Sequence, residues 1–238
     1  MSGFAKKFLK YLLIRVPLAF VLLSLALVLL FKFLPVLITP YMVIDAIENR
    51  GDADWHLHKT WVPLERISPQ LRMAVIAGED QRFFSHRGFD REEMQKMWKD
   101  HREKGKKIRG CSTISQQTAK NVFTFCSNTA LRKGLEAWWT LLIERIWGKE
   151  RILEVYLNVA EMGPGVFGAE AAARNYFGKA ASALGRSEAC LIAACLPNPV
   201  VYRVDKPSQY VLKRRSAISS SIVQLSFPEF VKNSDLKP

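Results

Sequence analysis

No charged residue occurs from Val16 to Phe31, and apolar stretches on either side, Tyr11 to Ile14 and Phe33 to Ile38, lengthen the run. A helix crosses the hydrocarbon core of a bilayer with about 20 apolar residues, so this segment can span one, and the rest of the chain must then fold on one side of it. Lys6, Lys7, Lys10 and Arg15 precede the run and no acidic residue occurs before Asp45. The positive-inside rule therefore places the N-terminus in the cytoplasm and everything after about residue 40 outside. Phe31-Lys32-Phe33-Leu34-Pro35 is too bulky for a small-x-small cleavage site, so an uncleaved, single-pass anchor is expected in place of a removed signal peptide.

The chain has 238 residues, 49% of them hydrophobic, enough for one globular domain beyond the anchor. Net charge is +13, and without the five cations Lys6, Lys7, Lys10, Arg15 and Lys32 it is still +8. A basic domain tethered at a bilayer is drawn to anionic head groups, each nearby Lys or Arg adding ~1 kcal/mol. Nucleic acid, the other common partner of such a charge, is not expected outside the cell. Cys111, Cys126, Cys190 and Cys195 show no paired C-x-x-C spacing for zinc. Buried thiols are expected, with Cys111 and Cys126 the one disulfide pairing left open.

Runs of alternating polar and β-branched residues are missing, whereas helical periodicity is common, so the fold is expected to be mostly α. Lys149 to Met162 carries a stripe of Ile152, Leu153, Tyr156, Leu157 and Ala160 and stops at Gly163-Pro164-Gly165. Ser187 is the expected cap of a short buried helix, Glu188 to Leu196, ended by Pro197-Asn198-Pro199. Leu135 to Trp147 reads as another helix, in which one of the adjacent Trp138 and Trp139 must face away from the core or toward lipid. His101 to Arg109 reads as a mobile charged loop, and the chain from about Phe227 as a fraying tail.

Three polar constellations interrupt this apolar pattern. In Gly110-Cys111-Ser112-Thr113-Ile114-Ser115-Gln116-Gln117-Thr118-Ala119-Lys120-Asn121, Ser112 or Thr113 can cap a helix and Gln116 completes a capping box with Thr113. Thr113, Gln117, Lys120 and Asn121 then share a face whose donors, with free helix N–H groups, suit a phosphate or pyrophosphate. In Glu79-Asp80-Gln81-Arg82-Phe83-Phe84-Ser85-His86-Arg87-Gly88, neighbouring carboxylates point different ways, so one at most acts as acid or base. Desolvation at the end of an apolar segment raises such a group's pKa, and His86 fits a structural hydrogen-bonding role as well as a chemical one. Arg132-Lys133-Gly134-Leu135-Glu136 again sets cations beside an acid, either as a surface i, i+4 ion pair or as a second carboxylate near an anionic substrate. Gly163 to Gly168 matches G-x-G-x-x-G but follows a helix, which excludes a dinucleotide fingerprint and leaves a tight turn.

Taken in order, EDQRFFSHRG (79–88), GCSTISQQTAKN (110–121), RKGLEA (132–137), KERILEVYLNVAEMGPGVFGAEAAARNYFGK (149–179) and SEACLIAACLPNP (187–199) resemble the peptidoglycan glycosyltransferases of glycosyltransferase family 51, and most closely their monofunctional biosynthetic transglycosylases. The resemblance covers roughly residues 60–215 and implies a mostly α, lysozyme-like, two-lobed catalytic domain. It divides the chain into a cytoplasmic tail and anchor (1–38), a juxtamembrane segment (39–60), the catalytic domain (61–225) and a C-terminal tail (226–238), with no penicillin-binding domain expected. The implied substrate is lipid II, polymerised into β-1,4 glycan with release of polyprenyl diphosphate at the outer face of the bacterial inner membrane. Glu79 is implied as base and Glu136 as second carboxylate, orienting donors or holding a divalent ion. Asp80, Phe83, His86, Ser112, Thr113, Gln117, Lys120, Asn121, Arg132 and Lys133 are implied to bind substrate. No cofactor is required, although Mg or Mn is compatible, and no dedicated metal site is expected. The partners implied are lipid II, the growing glycan chain, the membrane and other cell-wall synthesis proteins. Competing readings are a lysozyme-like hydrolase or lytic transglycosylase, for which Lys120 would meet no phosphate, and an inactive membrane scaffold. Two departures stand out: Cys111 replaces a usual Gly or Ala, and Ser216 to Ser221 is more polar than the family's C-terminal helix.

Overall fold

The computed structural model describes residues 3–52, 55–105, 110–125 and 130–233. It is mostly helical, as expected. Gly3–Phe33 forms α1, whose Leu13–Phe33 portion is, among the described residues, the one helix long and apolar enough to cross a membrane. Pro40–Glu48 forms α2, opened by Thr39, whose Oγ1 accepts the Met42 N–H, with Pro40 in the first turn where its missing N–H does no harm. Pro69–Glu79 (α3), Arg91–Lys104 (α4), Ile114–Phe123 (α5), Ala130–Ile146 (α6), Gly148–Val159 (α7), Ala169–Phe177 (α8), Arg186–Cys195 (α9), Gln209–Gln224 (α10) and Glu229–Lys232 (α11) follow.

Two groups of helices make the core. In one, α3 lies against α9 and α10, burying Leu71, Ala74, Val75, Ala193 and Ile218. In the other, α5 is held between α6 and α7, burying Ile114, Ala119, Ile143, Ile152 and Leu153. The polar run Ser216 to Ser221 does not prevent packing. Ile218 and Ile222 are buried, while Ser216 and Ser220 return their hydroxyls to carbonyls of α10 itself.

Several expectations are corrected. A small sheet is present, in the order β1 (His58–Lys59), β3 (Val166–Phe167), β2 (Glu161–Gly163). Helix α7 therefore ends at Val159, short of Met162, and Gly163-Pro164-Gly165 turns between two strands. These strands are too short for periodicity to reveal. Gly165 adopts φ +68 and a Cβ there would lie 2.5 Å from the His56 carbonyl, so the turn needs glycine. His101 to Lys104 complete α4, which ends in a left-handed Gly105, and the rest of that charged run lies outside the described residues. Helix α9 starts before Ser187, because Glu188 reaches back to accept the Gly185 N–H. Helix α6 starts at Ala130 and carries the whole Arg132 to Glu136 run. The tail does not fray as far as Asn233: buried Arg72 donates to the carbonyls of Phe230 and Asn233 and holds α11 down. Cys111, Cys190 and Cys195 are free thiols, and Cys126 lies outside the described residues.

The anchor is built into this domain. Val28 and Ser24 are buried, Trp147 Nε1 donates to the Val28 carbonyl at 2.7 Å, and Arg151 donates to the carbonyls of Phe31 and Leu34. Arg151 thus satisfies the open C-terminal end of α1 with a cation suited to its dipole. Trp139 stacks on Phe123 with centroids 4.2 Å apart, and the Trp138 ring turns to Phe20 of α1. Trp138 is partly buried between the core and α1, and Trp139 also lies within 6.3 Å of the Phe20 ring.

Candidate active site

Glu79 closes α3 at the seam between the two helix groups. Its side chain is 9% exposed, and each oxygen has a partner. Gln117 Nε2 donates to Oε2 at 3.0 Å, and Arg214 Nη2 lies 3.2 Å from Oε1. Burial pushes the Glu79 carboxyl up, the Gln117 and Arg214 bonds and the Arg214 charge oppose the rise, and the Asp80 charge adds to it. Tyr156, fully buried in α7, donates its hydroxyl to Gln117 Oε1 at 3.2 Å, which fixes which end of the amide faces Glu79. A carboxylate raised by burial yet held by two donors can take a proton and stay in place.

Asp80 points elsewhere. It accepts the Ile114 N–H at 3.0 Å and the His86 Nε2–H at 2.9 Å, while His86 Nδ1 accepts the Gly88 N–H. Both imidazole nitrogens are therefore engaged in fixing the loop after α3. Thr113 accepts the Gln116 N–H, donates to the Gly88 carbonyl at 2.6 Å, and takes the Gln116 side chain on its own N–H. The capping box stands as the sequence implied. Two of the helix N–H groups expected to be open to a phosphate are taken, Ile114 N–H by Asp80 and Gln116 N–H by Thr113, which leaves the side chains of that face as the donors. Gly88, at φ +92, has no room for a Cβ, which would lie 2.7 Å from Thr140 Cγ2. Phe83 is wholly buried, with the Lys149 ammonium 4.5 Å from its ring centroid. Asp80, Phe83, His86 and Thr113 thus build the floor under the site.

The accessible part of α5 is its second half. Gln117, Lys120 and Asn121 are half-buried along one side, as is Ser112 ahead of the helix. On α6, Glu136 is 2% exposed and accepts from Arg132 Nη1 at 2.8 Å and from Lys133 Nζ at 3.0 Å. This is a buried pair and not the surface one that i, i+4 spacing alone suggests. Lys133 is 55% exposed and Arg132 11%, so Lys133 presents the freer charge. With two cations on its carboxylate, Glu136 fits the orientation of donors and does not fit a divalent ion. Asp80, His86 and Asp90 bring ligand atoms within 4.8 Å of one another. That geometry is already used: Asp90 accepts the Glu93 N–H and pairs with Arg82.

Two site residues escaped the sequence reading. Tyr156 lay within an apolar stripe and was indistinguishable from core. Arg214 lay in the run Lys213-Arg214-Arg215 of a distant helix, where nothing marks one cation from the next.

Comparison with known proteins identifies the family of the chain as a whole. The family model described as Transglycosylase matches residues 48–223. A protein of Caulobacter vibrioides called biosynthetic peptidoglycan transglycosylase is 48% identical over 93% of this chain and 94% of its own length. Proteins of the same name from Haemophilus influenzae, 50% identical over 86% of this chain and 84% of theirs, and from Bacteroides thetaiotaomicron, 50% identical over 80% and 77%, are similar to it as well.

Proposed function

The chain belongs to the transglycosylase family, and from that premise we propose how its site works as a peptidoglycan glycosyltransferase in cell-wall synthesis. Glu79 takes the proton of the acceptor sugar hydroxyl of lipid II as that oxygen attacks the anomeric carbon of the growing strand. The C–O bond to the diphosphate breaks on the opposite side, which inverts the carbon and yields a β-1,4 link. Lys120, with Lys133 from α6, meets the charge that gathers on the departing polyprenyl diphosphate. Glu136 holds Arg132 and Lys133 toward that side, and Gln117, Asn121 and Ser112 orient the sugars and phosphates. Asp80, Phe83, His86 and Thr113 act through the loop and helix start that they hold. No step here passes through a metal or cofactor.

The observation that carries this reading is Glu79 itself, a buried carboxylate at the end of α3 held by Arg214 and by Gln117, which lies on the same side of α5 as Lys120. We further place the domain on the outer face of the inner membrane, the N-terminus in the cytoplasm and α1 as a single span, with other cell-wall synthesis proteins as neighbours. Labelled lipid II incubated with the full chain should give polymer and free polyprenyl diphosphate, not hydrolysed sugar. Lys120→Ala should cut that rate by about tenfold or more, well beyond a surface lysine's few tenths of a kcal/mol, with Lys120→Arg restoring only part. A folded Lys120→Ala protein of full activity would remove Lys120 from the site.

A further inference from the structure

Beside Lys120 lies a cluster that the reaction above leaves unused. Tyr41, on α2, donates its phenolic hydroxyl to Glu161 Oε2 at 2.7 Å. Lys120 Nζ stands 5.9 Å from the centroid of the Tyr41 ring, within the distance at which an ammonium is attracted to an aromatic face. The ring is itself braced edge-on by buried Phe167, 5.8 Å away. Glu161 opens β2, so the paired strands fix its backbone. Its second oxygen, Oε1, is buried and has no hydrogen-bond partner among the described residues, a costly state that calls for a compensating charge. Burial pushes the Glu161 carboxyl up to about 6, and the charge of Lys120 works against that rise. Acid, phenol and ammonium therefore interact, and they come from β2, α2 and α5 respectively.

We propose that Tyr41 and Glu161 are positioning residues for Lys120, holding its ammonium on the open side of α5 where a diphosphate would meet it. This rests on the reading of Lys120 as the diphosphate ligand. A lysine on an open surface loses rotamer freedom when it meets a phosphate, whereas one already directed by a carboxylate and a ring loses less. Glu161 is suited to the task because its carboxylate, disfavoured as an anion by burial and by the nearby Asp45 of α2, yields the ammonium readily to a diphosphate of higher charge. Since α2 begins just past the anchor, after residues 34–39, the element that orients Lys120 is the one nearest the membrane in the chain.

The test is a double-mutant cycle on the full chain in detergent, with labelled lipid II as substrate and thermal unfolding recorded on each preparation. Tyr41→Phe and Glu161→Gln are nearly isosteric and each should lower kcat/KM about five- to tenfold, mainly by raising KM. In a Lys120→Ala background, measured with excess enzyme, neither should lower it further. Wild-type kcat/KM in both single variants would overturn the proposal. So would an equal loss in the Lys120→Ala background, the signature of a merely structural role. A Lys120→Ala protein that keeps wild-type kcat/KM is a separate result, removing the diphosphate reading and this inference with it.

Discussion

A glutamate that must ionise inside a protein is opposed by its surroundings, and Glu79 is placed so that the opposition is incomplete. Its folded carboxyl titrates above its unfolded one, so the native state binds the proton more tightly and stability falls as pH rises through the interval between the two values. Above that interval the buried charge costs stability, and below it the cost is gone. Glu79→Gln should therefore lower turnover by ~10²-fold or more while melting no lower than the wild type at pH 8, the two converging as pH falls through the raised value. A variant that loses activity only in proportion to its folded fraction would falsify the assignment of Glu79 as base. Arg214 acts on the same group in the other direction. Removing its charge in Arg214→Gln lets the Glu79 carboxyl rise further, so the acidic limb of the pH–rate profile should move to higher pH and turnover at neutral pH should fall about tenfold. An unmoved limb would show that Arg214 serves the carbonyl of Gly78 alone, to which it also donates. The sequence placed Glu79 at the end of an apolar helix and so foretold its desolvation. It could not foretell Gln117 or Arg214 as partners, since these come from 38 and 135 residues away.

At the level of elements, local chemistry and tertiary contacts have separate shares. The start of α5 was readable because a capping box is closed within four consecutive residues, Thr113 to Gln116. Its electrostatic consequence was not, because Asp80 reaches the same helix start from the end of α3. The joint between α1 and the catalytic domain is of the second kind too. Arg151 joins α7 to the last carbonyls of α1, pairs with Glu154, and lies 5.2 Å from the centroid of the Trp61 ring. Arg151→Ala removes all three contacts and leaves the α1 carbonyls without a protein donor. It should cost about 2–4 kcal/mol, read as a lowered midpoint in detergent or lipid. A shift of a few tenths of a kcal/mol would mean that lipid or water replaces the guanidinium there.

For the whole molecule, the topology proposed above makes α1 the element that sets which side of the bilayer the domain occupies, and the domain grips the last turns of α1 through Val28, Trp147 and Phe31. A reporter active only in the cytoplasm, fused after Pro238, should stay silent, while one that works outside should be active. A bright cytoplasmic signal would reverse the orientation proposed above. What the sequence determined by itself is whatever rests on neighbours along the chain: the apolar span and its flanking cations, the helical period, the capping box, and the ordered motifs that resemble the family. Tertiary structure alone decided the partners of Glu79, the burial of the Glu136 pair, the use of Asp80 and His86 as a floor, the docking of α11 by Arg72, and the approach of Tyr41 and Glu161 to Lys120. The physical reason is common to these cases. Hydrophobic periodicity and capping are short-range and repeat in the sequence, whereas a hydrogen bond or a shifted pKa depends on which distant polar group shares a water-poor space, and only the packing of the helices brings those groups together.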